Sequence, residues 1–253
     1  MSRRGATSRR VRGYQGIALI LVIVLVAVVL RRHIVTTTTL IFFGVLFVSI
    51  ILHEVSHGAA ALLFGDDTAK QAGRLTLNPI PHVDIVGTII LPAVMLLVGF
   101  GAFGYAKPVP VNVGRLRSPR NQSLVVSLVG PAVNIVLAVI AAVVLRAVTQ
   151  PGLPIVTGQA SVGVLVLVFL GYANVLLAAF NLIPIPPLDG SAVIERLLPT
   201  AWWPFYLRLR MYSLPVIFGV VLLFPGALNH VFYPALNWWA HVLHRGIVIS
   251  GPI

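Results

Sequence analysis

His53, Glu54 and His57 stand in the order His-Glu-x-x-His inside an apolar run that begins near Leu40 and continues through Ala59-Ala60-Ala61-Leu62-Leu63-Phe64. Positions four apart share one face of a helix, so both imidazoles can point at a single metal ion. Glu54, next to His53, can serve as a general base toward a water at that ion. The spacing is a moderately specific sign of a zinc hydrolase, and its apolar setting sharpens it. Ionisable groups within a membrane helix are expensive, usually partnered and usually functional. A polar network between helices is the bland alternative, but it leaves a buried carboxylate short of partners, which costs several kcal/mol.

A catalytic zinc usually takes three protein ligands and keeps one position open. The chain has six acidic residues, Glu54, Asp66, Asp67, Asp84, Asp189 and Glu195, and only Glu54 and Asp189 lie within or against long hydrophobic stretches. Asp189 is therefore the natural third ligand; a helix cap or a pair with Arg196 is the competing role. Asn181 can offer its amide to a developing oxyanion or to substrate backbone, although a structural hydrogen bond beside a proline-broken helix end explains it about as well. There are no cysteines, which excludes thiolate ligands, disulfides and a cysteine nucleophile.

The elements that carry these residues must be membrane helices. Of 253 residues, 58% are hydrophobic and 9% charged, with a mean hydropathy of +0.98. Such values exclude an ordinary soluble domain and predict an all-α polytopic membrane protein of about five to six transmembrane helices, in contact with a lipid bilayer. The net charge of +12 sits in short segments between apolar runs, as the positive-inside bias places it, so no nucleic-acid partner is expected.

The expected organisation is a basic cytoplasmic arm over 1–13, a single transmembrane domain over 14–230 with its core at about 36–200, and an interfacial C-terminal tail over 231–253. Spans are expected at Tyr14 to Leu30, Thr36 to Phe64, Leu124 to Val148, Ser161 to Phe180 and roughly Tyr212 to His230. Basic residues flank Ile85 to Tyr105 on both sides, which favours a re-entrant hairpin over a full span. The N-terminus and the mouth of the site then face the cytoplasm at the cell membrane.

Gly73 to Pro79 alternates apolar and polar, and Lys107 to Val113 carries two prolines that confine it to an edge. Together they read as a small membrane-associated β-hairpin or sheet, whose edge can pair with an extended substrate or merely pack on the helices. Asn181 to Gly190 contains three prolines, which forbid regular helix and leave bare carbonyls that are tolerable only against protein or a water-filled cavity. Gly130-Pro131-x-x-Asn134 places glycine for close helix approach and Asn134 for an interhelical hydrogen bond.

His53-Glu54-x-x-His57 with Asn181-x-x-Pro184-x-x-Pro187-x-Asp189-Gly190 resembles the site-2 protease family of intramembrane zinc metalloproteases. Gly73 to Pro79 with His82 and Asp84, Lys107 to Asn112, and Gly130-Pro131 are similar to a compact bacterial branch without PDZ or CBS domains. The resemblance implies one zinc per chain held by His53, His57 and Asp189, with Glu54 as general base and Asn181 positioning substrate. It implies a membrane-anchored protein substrate, cut in or near its transmembrane segment, often after an upstream protease or under a regulatory partner. Ile85 stands after Asp84 where that branch has proline, which touches the local turn and not the site. A catalytically inactive adaptor of the same fold and a metal transporter are the alternatives. The intact motif residues argue against the first, and a water-activating glutamate against the second.

Overall fold

Long helices form where apolar residues run without interruption, and three of them frame the molecule. The computed structural model describes residues 36–90, 106–150, 155–224, 226, 228–243 and 247–248. Helix α1 is Thr37–Leu63, followed by the single turn α2, Thr68–Gln71. Helix α3 is Pro119–Val148, α4 is Val162–Asn181, and the short α5 is Ser191–Leu197. Helix α6 is Trp203–Leu223 and α7 is Asn229–Leu243. Ile155–Val156 (β1) and Ile247–Val248 (β2) form a two-residue parallel pair.

Among the described residues, α1, α3 and α4 are long and apolar enough to cross a membrane. The molecule is thus mostly helical, as expected, and three of the expected five to six spans are seen among the described residues. The expected first span, Tyr14 to Leu30, lies outside the described residues, as does 91–105 of the expected re-entrant piece. Its opening, Ile85–Ile90, is one wide helical turn. A continuous span from Tyr212 to His230 does not form: α6 starts earlier, at Trp203, and stops at Leu223. The sequence that follows, Phe224-Pro225-Gly226, holds two residue types that do not favour continuing a helix.

The chain falls into two compact units, whose described parts are residues 36–40 with 84–90 in one, and 41–83 with the residues from 106 onward in the other. In the first, the Thr36 hydroxyl accepts from the Thr39 amide at the start of α1, and Asp84 Oδ1 accepts from the Gly87 amide.

In the second unit, α3 packs along α4, and α7 lies against both. Ala138, Ala141 and Ala142 are fully buried; such small residues let apolar helices approach closely. The core is completed by Leu145, Val168, Val175, Trp239 and Leu243. Trp239, in the tail expected to be interfacial, is 1% exposed and donates its indole N–H to the Ala138 carbonyl at 2.8 Å. Gly171 makes room for it, since a Cβ there would lie 1.8 Å from the indole. Ala60, Ala61, Leu116 and Val126 seal the end of α1 against the start of α3, while Val136, Ile140 and Val143 of α3 are exposed, as a lipid-facing surface requires.

The expected hairpin carries no ladder. Gly73 to Pro79 and Lys107 to Val113 contain no strand, because two buried side chains take over the role of strand partners. Arg74 donates to the carbonyls of Pro81, Lys107 (2.7 Å) and Pro108 (3.2 Å). Asp66 accepts from the Asn112 amide at 2.6 Å and from Thr68. Burial by itself would raise the Asp66 carboxyl, but the hydrogen bonds from the Thr68 hydroxyl and the Asn112 and Thr68 amides hold it below its ordinary value.

Candidate metal centre

One face of α1 delivers both histidines to the interior, where His53 is 5% and His57 8% exposed. The chain reaches them from α3 and from the turn after α4. His57 Nδ1 lies 2.6 Å from the Val126 carbonyl, and His53 Nδ1 lies 2.5 Å from Asn134 Oδ1. A backbone carbonyl only accepts, so Nδ1 of His57 carries the proton and its Nε2 presents a lone pair. The same assignment holds for His53 if Asn134 turns its oxygen inward. The two Nε2 atoms are 3.1 Å apart.

Close approach of α3 depends on Gly130. A Cβ there would sit 2.5 Å from His57 Cε1 and Nε2 and 2.7 Å from His53 Cε1. Pro131, inside α3, removes an amide from the same helix segment that supplies the Val126 carbonyl. Gly130-Pro131 thus belongs to the site without bearing any reactive group.

The third candidate ligand arrives on irregular backbone. Helix α4 stops at Asn181 because Pro184, Pro186 and Pro187 cannot extend it, and the chain turns back on itself. The Gly190 amide donates to the Asn181 carbonyl at 2.6 Å and closes the loop. Asp189 Oδ2 is thereby set 3.1 Å from His53 Nε2 and 3.3 Å from His57 Nε2.

Asp189 Oδ2 is buried and has no hydrogen-bond partner among the described residues. Two imidazole lone pairs and a carboxylate oxygen therefore face one another. Three converging acceptors repel unless a cation lies among them, and two His nitrogens with one carboxylate oxygen are a donor set suited to zinc. His53, His57 and Asp189 are also the residues whose ligand atoms cluster tightly enough to hold a metal ion among the described residues.

The other expected site residues have different surroundings. Glu54, beside the histidines on α1, accepts the Val109 amide on Oε2 at 2.8 Å. That amide is the one donor between Pro108 and Pro110, so the proline-rich strip meets the glutamate at a single point. Asn181 turns its amide back to the Leu177 carbonyl at 2.9 Å, and no hydrogen bond joins its side chain to the triad among the described residues. His82 is fully buried with Nε2 at 2.9 Å from the Thr76 carbonyl. His241 lies on the exposed side of α7 and His244 outside the described residues.

Three residues without an expected role near the site, or with a lesser one, lie behind it. Asn134 was expected as an interhelical hydrogen bond and is one, donating to Asn174 Oδ1 at 2.6 Å. Asn174 in turn donates to Ser49 Oγ at 2.8 Å. Isolated polar side chains in otherwise apolar spans were the available signal for Asn174 and Ser49.

Comparison with known proteins decides the kinship. The family model described as Peptidase family M50 matches residues 154–224. "Putative zinc metalloprotease YwhC" of Bacillus subtilis is 37% identical over 192 residues, covering 76% of this chain and 84% of that protein. The chain belongs to peptidase family M50. Two mycobacterial members of the family are more distant. "Putative zinc metalloprotease Rip2" of Mycolicibacterium smegmatis is 31% identical over 201 residues, covering 76% of this chain and 70% of the relative. The protein of that name from Mycobacterium tuberculosis strain Erdman is 31% identical over 192 residues, 76% of this chain and 69% of the relative. The resemblance to the site-2 proteases, drawn from the paired motifs, is thus a family membership. No solved structure matches.

Proposed function

We propose that this chain hydrolyses peptide bonds in or near the transmembrane segment of a membrane-anchored protein, with its active site opening toward the cytoplasm. By its family and its relatives the chain is a zinc metalloprotease, and three converging ligand atoms suit that chemistry. The finer part is carried by one observation. The ligand atoms meet against two helices, α1 and α4, that are long and apolar enough to span a bilayer, so substrate reaching them must itself enter the membrane zone.

In this reading His53, His57 and Asp189 hold the ion. Zinc held there supplies a Lewis acid that polarises a carbonyl and makes a water acidic. Glu54 accepts the proton of the attacking water and returns it to the leaving amine. The Val109 amide keeps the Glu54 carboxylate oriented on one oxygen, leaving the other for that proton. Asn181, at the end of α4, spends one amide proton on the Leu177 carbonyl and keeps its second proton and Oδ1 for substrate backbone or a developing oxyanion. The proline-rich strip over 107–112 lies in no strand ladder, and an extended substrate can pair only with those of its backbone groups that Glu54, Asp66, Arg74 and the His82 carbonyl do not already hold.

Glu54→Gln keeps the shape of the site and removes its base. The expected result is a full zinc complement with peptide cleavage reduced by at least about 1,000-fold, measured on purified protein in detergent or vesicles. Membrane proteins trapped by this variant then identify the substrate. Retained cleavage removes Glu54 from the mechanism.

A further inference from the structure

Behind His53 runs a chain of hydrogen bonds whose direction is forced from its far end. Asn174 Nδ2 lies 2.8 Å from the Leu170 carbonyl and 2.8 Å from Ser49 Oγ. The Leu170 carbonyl accepts only, so the nitrogen of the Asn174 amide, and not its oxygen, faces it. Ser49 spends its own hydroxyl proton on the Val45 carbonyl at 2.8 Å, which leaves its oxygen to accept the second Asn174 proton. Asn174 Oδ1 is then turned to Asn134, whose Nδ2 donates to it at 2.6 Å. Asn134 Oδ1 must in turn face His53 Nδ1, at 2.5 Å. Ser49, Asn134 and Asn174 are all 0% exposed, so water cannot supply an alternative partner.

We infer that Asn174 and Ser49 are positioning residues for metal binding: through Asn134 they set the tautomer and tilt of His53. The amide of Asn134 by itself can bond His53 in either orientation. With its nitrogen inward it would accept nothing and would leave the proton of His53 on Nε2, pointing at the metal position. Asn174 forbids that flip, because its own orientation is locked by a carbonyl that cannot donate. His57 needs no such relay, since the Val126 carbonyl locks it directly. One ligand histidine is thus fixed by backbone, and the other by three side chains drawn from α1, α3 and α4. Outer partners of this kind raise ligand basicity and pre-orient the ring.

The inference rests on the zinc site proposed above, and its test separates the two. Zinc affinity is read by chelator competition on the purified full chain, and the ligand field by the absorption of the cobalt-substituted protein. Asn174→Leu, which keeps the branched shape and removes the amide, is expected to weaken zinc by about 10–100-fold and to alter the cobalt spectrum. Asn134→Leu should weaken it at least as much, and the double variant no more than Asn134→Leu alone, because both act through one path. Ser49→Ala should lose about threefold to tenfold while Ser49→Thr, which keeps the hydroxyl, stays within about twofold of wild type.

Wild-type affinity in Asn174→Leu overturns the inference, as do additive losses in the double variant, which assign Asn174 to helix packing alone. If Asn174→Leu does not fold, Ser49→Ala decides: unchanged zinc affinity overturns the relay. A wild-type chain that binds zinc no better than His53→Ala instead defeats the metal site itself, whatever the relay does.

Discussion

The two halves of the metal centre are built by opposite means. The histidine half lies on one regular helix, α1, is buried, and has each Nδ1 tied to an acceptor on α3. The aspartate half lies on a proline-broken turn; its side chain is 19% exposed, and Oδ2 has no hydrogen-bond partner of its own among the described residues. The first half is held by side-chain and backbone hydrogen bonds in an apolar interior, where breaking one leaves a polar group stranded at about 1–3 kcal/mol. The second is held by backbone shape, through the Gly190 amide on the Asn181 carbonyl. The difference shows how a helical membrane protein can bring a rigid ligand pair and a separate ligand together. Regular helix sets the pair, and irregular backbone, tolerable only beside protein or water, turns the third ligand inward.

The comparison is broken most severely at Gly130. Gly130→Ala puts a methyl group where both imidazoles lie, so α3 must retreat and take Asn134 and the Val126 carbonyl with it. Zinc affinity should fall by at least about 100-fold, together with cleavage, since both histidines lose their outer partners at once. Zinc titration checks this, and an unchanged affinity would mean that the two helices need not approach so closely.

A smaller effect concerns the strip that meets Glu54, because it is anchored by Asp66 and Arg74 instead of a strand ladder. The Asp66 carboxyl is held below its ordinary value of 3.8. A depressed folded value means that the stabilisation is complete above the unfolded-chain value and fades as pH falls through the folded one. Asp66→Asn should therefore be less stable than wild type near neutrality, and the gap should close only below about pH 4. Thermal unfolding at a series of pH values measures it, and a gap independent of pH would assign the anchor to packing.

Much of the centre was legible before any fold was known, since His53, Glu54 and His57 share a helix turn and Asp189 was one of two carboxylates set against apolar sequence. Proline content also foretold that the backbone before Asp189 would leave helix. What escaped was three-dimensional. The hairpin was read from alternation in Gly73 to Pro79, yet Arg74 and Asp66 satisfy that backbone from the side, and alternation alone does not report such partners. The packing of Trp239 over Gly171 depends on how α7 returns to α4, which tryptophan's preference for interfaces does not report. Asn174 and Ser49 stand 125 positions apart, and nothing local in either helix signals that they share one hydrogen bond. Polar residues in apolar spans point to partners but do not name them.

The convergence of His53, His57 and Asp189 on one ion is tested most directly by metal content. Wild-type protein, His53→Ala, His57→Ala and Asp189→Ala, each equilibrated with zinc and washed with a weak chelator, are compared by elemental analysis. About one zinc per chain is expected in wild type and well under about a tenth in each variant, because three protein ligands make up a catalytic site and two do not. A full equivalent of zinc retained by Asp189→Ala, at wild-type affinity, would contradict it.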